Sequence, residues 1–321
     1  MPDYQPPFQL NARILQQVAS ICELLGHWAV TGAASLSPHL RRDNRIRTIH
    51  ASLAIEHNTL SLQQMTAVLD GKRVLGQPRE IQEVRNAFAA YEQLPHWQPE
   101  RAADLLAAHK TLMLGLVDGP GQYRQGGVGI YRGEALVHMA PPANRVAQLL
   151  GDLLSWLQST DAHPLIASCV FHYEFEFIHP FDDGNGRMGR LWQTLILSQW
   201  QPLLAYLPVE TLVHARQADY YQALSEADQR AEATPFIEFM LQALLDAMAE
   251  TLVTGSEKGS EESSEKILAL LRSEPRLPAR VLAERLGISS RAVEKQIAKL
   301  REHGRLRRIG PAKGGHWEVV Q

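Results

Sequence analysis

The chain has 321 residues, 45% of them hydrophobic, and a formal net charge of −3 from 32 Lys and Arg against 35 Asp and Glu. This length and composition predict a globular protein with two domains, or one large domain with an appendage. The near balance of charge argues against the whole molecule being a polyanion binder, and two distant cysteines, Cys22 and Cys169, exclude a disulfide framework and a zinc site. With no signal-peptide pattern and no apolar run of transmembrane length, we expect a cytoplasmic protein that does not engage a membrane.

Helical periodicity runs through the first part of the chain. Residues 11–28 carry apolar side chains on one face, and residues 39–57 begin with basic side chains and end in an apolar run that leads to Glu56. Glycine and proline residues separate three further predicted helices: residues 61–70, 78–94 and 101–116. The first hundred residues are therefore expected to form a helical region.

A glycine-rich segment, residues 118–129, is incompatible with a helix and leads into a loosely alternating stretch, residues 128–139. This pattern predicts a short β-hairpin that ends before Pro141 and Pro142. The glycines do not form a phosphate-binding P-loop, because no Gly-Lys-Ser or Gly-Lys-Thr follows them. Residues 144–157 then return to helical periodicity.

The sequence HPFDDGNGRMGR, residues 179–190, lies between two apolar runs that are long enough to be helices, residues 165–178 and 191–200. We predict a tight loop whose C-terminal half forms the first turn of the second helix. The Gly-Asn-Gly at residues 184–186 leaves backbone N–H groups unobstructed at that helix start. Unpaired amides and the helix dipole together favour an anion there.

The charged residues of this loop suit phosphate chemistry. Arg187 and Arg190 project from one face of a helical turn and can grip a polyphosphate bidentately. Asp183 is a hard oxygen ligand suited to a Mg²⁺ that bridges phosphate oxygens, and His179 can take a proton near pH 7. An EF-hand calcium loop is excluded, since aromatic residues would occupy its first and twelfth positions. The loop therefore predicts a phosphate-transfer site.

These twelve residues resemble the signature of the Fic family, His-x-Phe-x-(Asp/Glu)-Gly-Asn-Gly-Arg-x-x-Arg, and every fixed position is present. The resemblance implies transfer of AMP from ATP to a Ser, Thr or Tyr hydroxyl of a protein, with release of diphosphate. It implies that His179 acts as the general base and that Asp183 holds Mg²⁺. It also implies a set of residues that bind the phosphates: Gly184, Asn185, Gly186, Arg187 and Arg190.

A second resemblance concerns Ser52 and Glu56. Many Fic proteins carry an inhibitory helix with the pattern (Ser/Thr)-x-x-x-Glu-(Gly/Asn), and Ser52 and Glu56 match its first two fixed positions. His57 departs from the third position, and Asn58 comes one residue late. The resemblance implies that Glu56 pairs with Arg190 and takes the place of the γ-phosphate of ATP, so residues 1–100 would be an N-terminal helical region that contains an inhibitory helix.

The resemblance also implies two recognition elements. The hairpin at residues 128–139 corresponds to the flap, whose strand edge holds a segment of the target protein, or of the chain itself, by β-augmentation. Tyr221 resembles an aromatic residue that borders the adenine, whereas Asp228 stands where some relatives have Asn, which leaves its contact with the base open. His172, seven residues before His179, is interpreted as a packing or helix-surface histidine.

The C-terminal part differs from the rest in charge. Residues 253–264 are small and polar and predict a linker after a core at residues 101–252. Residues 265–321 contain 13 Lys and Arg against 6 Asp and Glu, and their helix and strand patterns predict a winged helix-turn-helix domain. Five of its basic residues are candidates for binding duplex DNA: Arg291, Lys295, Lys299, Arg307 and Arg308. Docking of another protein or formation of a homodimer is the alternative role of such a domain.

The expected fold class is thus mainly α: a Fic-type helical core with a β-hairpin flap, and a C-terminal winged helix-turn-helix domain of a kind often fused to bacterial members. The expected function is protein adenylylation with ATP as substrate and Mg²⁺, held back by Glu56. Alternatives are a DNA-binding regulator whose Fic core senses a nucleotide, an enzyme that removes AMP, and an enzyme that uses another nucleotide. The intact motif, with both His179 and Asp183, favours the transferase.

Overall fold

The computed structural model describes residues 4–31, 38–132, 135–286, 289–311 and 314–320. These residues form two compact units that divide between Ala249 and Glu250. The first unit is mostly helical with one β-hairpin among its described residues, and the second combines helices with another hairpin. The prediction of a mainly α fold is therefore confirmed.

The N-terminal helices agree closely with the predicted segments. They are α1 (Ala12–Thr31), α2 (Pro38–Ile55), α3 (Leu62–Leu69), α4 (Pro78–Gln93) and α5 (Ala102–Leu112). A capping box starts α3: the Ser61 hydroxyl accepts a hydrogen bond from the Gln64 N–H, and the Gln64 side chain accepts one from the Ser61 N–H. Glu56 directly follows the last residue of α2, so the end of this helix determines where its carboxylate lies.

The β-hairpin follows α5, and its strands are β1 (Gly129–Arg132) and β2 (Ala135–Met139). The strands pair antiparallel, with Gly129 opposite Met139 and an irregularity in the register between Ile130 and Tyr131. The predicted hairpin is confirmed, although residues 133 and 134 lie outside the described part of the chain.

Three helices follow the hairpin, and the predicted loop joins the last two: α6 (Ala143–Ser159), α7 (Pro164–Ile178) and α8 (Asn185–Trp200). Twelve of the fifteen residues of α7 are buried, as expected of a helix that packs on several sides. Phe171 and Phe175 of α7 and Trp192 of α8 are inaccessible to solvent. Because the core fixes both α7 and α8, the loop that joins them has rigid ends.

Two helices beyond α8 were not predicted: α9 (Val209–Ala215) and α10 (Gln217–Arg230). The helix α11 (Thr234–Ser273) then runs without a break through residues 253–264. The segment that composition predicts as a linker is therefore helical. Glu and Lys are good helix formers, and they outweigh Gly255 and Gly259 in this stretch.

In the second unit, the winged helix-turn-helix consists of α12 (Ala279–Leu286), α13 (Ser290–Glu302), β3 (Leu306–Ile309) and β4 (His316–Val319). Ser289 caps α13, since its hydroxyl accepts a hydrogen bond from the Ala292 N–H. Apolar residues of the last turns of α11, of both helices and of β3 form a small core of their own. Within the described ranges, every helix is too short or too polar to serve as a membrane span.

Candidate active site

The loop between α7 and α8 contains two residues with left-handed backbone. His179 ends α7 with a φ of 50°, and Gly184 precedes α8 with a φ of 88°. The Asn185 side chain closes the loop, because its Nδ2 donates to the Phe181 carbonyl (2.8 Å) and its Oδ1 accepts from the Phe181 N–H (2.9 Å). Gly184 lies against Met113, whose Sδ would be 2.7 Å from an added Cβ. Several motif residues therefore shape the loop itself.

Two buried side chains, Arg124 and His109, hold the loop from behind, and neither was predicted as a site residue. Arg124 donates from Nε to the His179 carbonyl (2.7 Å). His109 Nδ1 accepts from the Gly121 N–H (2.8 Å), so its Nε2 carries the hydrogen that it donates to the Asp183 carbonyl (3.0 Å). These contacts fix the backbone on both sides of the loop.

His179 borders a pocket, with 18% of its side chain exposed. Its Nδ1 lies 3.4 Å from the carbonyl oxygen of Glu176, which can only accept, so we assign the hydrogen to Nδ1 and leave Nε2 as the basic nitrogen. Burial lowers the pKa of His179 below its ordinary value, and the Glu176 carboxylate opposes that shift. The ring is therefore neutral near pH 7 and able to accept a proton.

The first turn of α8 carries the charged groups of the motif. The N–H groups of residues 185–187 have no acceptor within the helix, because they belong to its first turn. Arg187 is buried and donates from Nη2 to Asp183 Oδ1 (2.7 Å), while its Nη1 lies 3.5 Å from Glu83 Oε1. Arg79, which was not predicted, donates to the other oxygen of Asp183 (3.1 Å).

Arg190 is also buried and extends to the end of α2. It donates from Nε to the Ser52 hydroxyl (3.0 Å), and from Nη2 to the Ser52 carbonyl (3.0 Å) and to Glu56 Oε1 (2.7 Å). Burial alone would lower the pKa of Arg190, but the Glu56 carboxylate raises it above the ordinary arginine range. A Cβ on Gly186 would lie 2.5 Å from Glu56 Oε1, so this carboxylate rests against the first turn of α8.

The pocket beside His179 has a volume of about 210 Å³. The pocket is lined by residues of α7, α8 and α10, and by Glu56 after the end of α2. Tyr221 lines it, at the position where the sequence predicted an aromatic neighbour of the nucleotide. Asp228, whose contact with the base the sequence left open, also lines it, and so do Glu176 and His138, which were not predicted as site residues.

His138 of β2 connects the hairpin to the pocket. Its Nε2 donates to the Phe177 carbonyl (2.9 Å), and its Nδ1 lies 3.1 Å from Asp228 Oδ2. The Tyr173 hydroxyl donates to the other oxygen of Asp228 (3.0 Å). Burial alone would lower the pKa of His138, but the hydrogen bond with Asp228 raises it. Asp228 thus ties the hairpin to α10.

Mg²⁺, which the family resemblance implies, would rely here on a single carboxylate. The side chain of Asp183 is 40% exposed beside the start of α8, and Mg²⁺ is commonly bound through one or two carboxylates together with phosphate oxygens. Among the described residues, no group of three or more His, Cys, Asp or Glu side chains could hold a metal ion. The residues present fit a metal that arrives with a nucleotide.

In the second unit, three exposed basic side chains lie four residues apart along one side of α13: Arg291, Lys295 and Lys299. The two wing residues have partners within the hairpin. Arg307 donates from Nε to Glu318 (2.9 Å), and the guanidinium of Arg308 lies 4.8 Å from the ring centre of Trp317. Of the five candidate residues, the three on α13 therefore share one exposed side of a helix.

Sequence comparisons identify two families in the chain. The model of the Fic/DOC family matches residues 99–197, and a model described as winged helix-turn-helix DNA-binding matches residues 261–307. Protein adenylyltransferase fic-1 of Caenorhabditis briggsae is 29% identical over 74% of this chain and 49% of its own length. Protein adenylyltransferase Fic of Aedes aegypti is 32% identical over 61% of this chain and 39% of its own length. The chain spans less than half the length of these curated relatives.

Solved structures give a fuller match. Fic-1 from Caenorhabditis elegans has 23% identity and a TM-score of 0.62, and covers 78% of this chain and 74% of its own, a likeness that shows the fold alone. A Fic family protein from Desulfovibrio desulfuricans G20 has 52% identity and a TM-score of 0.77. The match covers 99% of this chain and 98% of the other. The chain therefore belongs to the Fic family.

Proposed function

We propose that this chain is a protein adenylyltransferase, which transfers AMP from ATP to a Ser, Thr or Tyr hydroxyl of a protein, itself included. The observation that carries the proposal is the pocket in which the basic nitrogen of His179, the first turn of α8 and Arg190 meet. Relatives at about 30% identity bear the name protein adenylyltransferase. Phosphoryl-type transfer depends mainly on positioning and charge neutralisation, and these groups supply both.

In the proposed reaction, the target hydroxyl oxygen attacks the α-phosphorus of ATP. The bond from that phosphorus to the oxygen bridging the α- and β-phosphates breaks, and diphosphate leaves. Nε2 of His179 takes the hydroxyl proton, and its lowered pKa keeps it unprotonated at neutral pH. The amides of residues 185–187, with Arg187 and Arg190, balance the charge of the departing phosphates. Mg²⁺ held at Asp183 would neutralise phosphate oxygens further.

The hairpin of β1 and β2 is the proposed docking element for the target. His138 of β2 lines the pocket, so the strand ends close to the reacting groups. An extended peptide can add to a strand edge through main-chain hydrogen bonds, which would bring one of its hydroxyls toward His179.

We further propose that Glu56 keeps the enzyme in a state of low activity. Its carboxylate pairs with Arg190 at 2.7 Å and rests against Gly186. A terminal phosphate of ATP would need the same guanidinium and the same helix start, and two anions repel each other at that distance. Bound nucleotide would therefore have to displace Glu56 or bind in a distorted position.

The test compares wild type with Glu56→Gly, each incubated with Mg²⁺ and ATP that is labelled at the α-phosphate. We expect roughly tenfold more label on the variant protein, in line with typical coupling energies between sites. Label at the γ-phosphate should not transfer, and adding His179→Ala should remove the signal. If no protein becomes labelled while ATP still binds, the transferase proposal is wrong, and a nucleotide sensor or another nucleotide takes its place. Release of AMP from labelled protein by wild type would support the removal of AMP.

Binding of duplex DNA is a second proposed function, favoured by the match at residues 261–307 and by the basic face of α13. Replacing Arg291, Lys295 and Lys299 with Glu in the full chain should weaken binding to duplex DNA and reduce the slope of its salt dependence by about three. The matched control makes the same charge changes on exposed residues of the first unit: Arg73, Arg85 and Arg101. If wild type does not bind DNA at low salt, a protein-docking role for the domain is favoured.

A further inference from the structure

Glu176 is a pocket carboxylate without a part in the reaction described above. It lies one helical turn before His179 on α7, and 13% of its side chain is exposed. Its Oε2 is 4.0 Å from His179 Nδ1, and its Oε1 is 3.8 Å from His172 Nε2. Among the described residues, Oε1 is buried without a hydrogen-bond partner. Burying a carboxylate oxygen without a hydrogen-bond partner costs free energy, and such a cost points to a functional role for Glu176.

The neighbours of Glu176 keep it ionised. Burial alone would raise its pKa, but His172, His179 and Arg190 lower the pKa below the ordinary glutamate value. A negative charge at this point would repel the phosphates of a nucleotide. The negative charge of Glu176 becomes favourable when a positive charge develops beside the carboxylate. The imidazole of His179 gains such a charge when Nε2 accepts a proton.

The packing around Glu176 is also rigid. A Cβ on Gly189 of α8 would lie 3.1 Å from Glu176 Oε1 and 2.7 Å from His172 Cδ2, so α8 covers both side chains closely. His172 is fixed in turn, because its Nδ1 donates to Gln193 Oε1 (2.7 Å) and its Nε2 lies 3.2 Å from the Tyr220 hydroxyl oxygen. The interpretation of His172 as a packing histidine agrees with its complete burial. The carboxylate of Glu176 thus lies between two imidazoles.

We propose that Glu176 is a positioning residue that acts through His179, by stabilising the imidazolium that forms when Nε2 takes the proton of the target hydroxyl. The proposal rests on the transferase function proposed above. The proton stays on His179, and the side chain of Glu176 contributes only its negative charge. A carboxylate beside the histidine of a serine-protease triad has the same kind of effect on its imidazolium.

The charged groups that face His179 from other elements act in the opposite direction to Glu176. His138 of β2 and Arg124, in the loop before β1, both lower the pKa of His179, as burial does. Glu176 raises it. Removing the negative charge of Glu176 should therefore lower the pKa of His179 further and make it a weaker base.

The test uses Glu176→Gln, which keeps the size of the side chain and removes its charge. In the nucleotide-free protein, the NMR signal of His179 Cε1–H, assigned by its loss in His179→Ala, should titrate at lower pH than in wild type. In a Glu56→Gly background, kcat for AMP transfer should fall about tenfold with KM for ATP unchanged, and the acid limb of the pH profile should move to lower pH.

Two variants control for structural effects. Glu174→Gln removes a buried carboxylate two residues earlier on α7, one that accepts from the Tyr4 hydroxyl at 2.7 Å, and should leave the titration of His179 unchanged. Glu176→Asp keeps the charge but draws it back, so its midpoint should fall between those of wild type and Glu176→Gln. If Glu176→Gln does not fold, the Glu176→Asp midpoint decides in its place.

An unchanged midpoint in the folded variant would overturn the proposal, and so would a raised KM for ATP with kcat unchanged, which would indicate that the carboxylate contacts the nucleotide. If no variant transfers AMP, the proposed function fails. The titration of His179 still decides the effect of Glu176, because it needs no activity.

Discussion

The basicity of His179 depends on a balance between burial and a few neighbouring charges. Burial lowers its pKa and Glu176 raises it, and the net pKa lies below the ordinary value of 6.5. A general base must be unprotonated to act. We therefore expect AMP transfer to persist at mildly acidic pH, where an ordinary histidine would already be protonated, and to decline only as the pH falls through the lowered pKa.

Replacing the imidazole tests this role directly. In a Glu56→Gly background, His179→Ala should reduce AMP transfer by a factor of about 10²–10⁴, the usual contribution of a general base. ATP affinity, measured by calorimetry, should stay nearly unchanged, because the arginines and amides of α8 bind the phosphates in the proposed site. His96→Ala, at an exposed histidine, is the matched control. Full activity in His179→Ala would show that His179 is not the general base.

At the scale of elements, the helices on both sides of the motif could be predicted because long apolar runs flank a loop rich in glycine. The helix α10 lacked such a signal, since its buried positions are few and most of its residues are polar. Ser and Gly are common at residues 253–264, and this composition predicts a linker. This stretch lies inside α11 nonetheless, so the helix propensity of its Glu and Lys residues outweighs the tendency of Ser and Gly to form loops.

From residue chemistry alone, the site could be predicted only where its residues are neighbours in sequence, and Ser52, Glu56 and Tyr221 were expected there because of the family resemblance. The motif loop carried its own pattern, whereas Asp228 and His138 come from α10 and β2 and meet only in the folded pocket. The glycine-rich sequence around Arg124 did not predict that its side chain would be buried against the loop. Glu176 had one available signal, its spacing of three residues from His179 on a predicted helix.

At the scale of the whole molecule, the two parts of the chain carry opposite charge. Residues 265–321 have a net charge of +7, so residues 1–264 carry −10. A nucleic acid would be attracted to residues 265–321 and repelled by residues 1–264. The proposed DNA binding therefore depends on the winged helix-turn-helix, and the proposed transfer of AMP on residues of the first unit.

Truncation separates these two activities. A chain of the Glu56→Gly variant that ends at residue 253 should label itself as strongly as the full-length variant, because every group of the proposed site lies in the first unit. This cut also keeps the first half of α11, whose Phe236, Leu241 and Met248 are buried. The measurement is the amount of α-label per chain, with circular dichroism to check folding.

A second cut shows whether α11 itself is needed. Ending the chain at residue 233 removes the buried side chains of α11, and a loss of several large apolar residues from a core exceeds the stability of a typical domain. The shorter chain should therefore lose both its cooperative unfolding transition and its self-labelling. If the chain that ends at residue 253 folds but no longer labels itself, the second unit must take part in the transfer, since the first unit would then hold every proposed catalytic group and still be inactive.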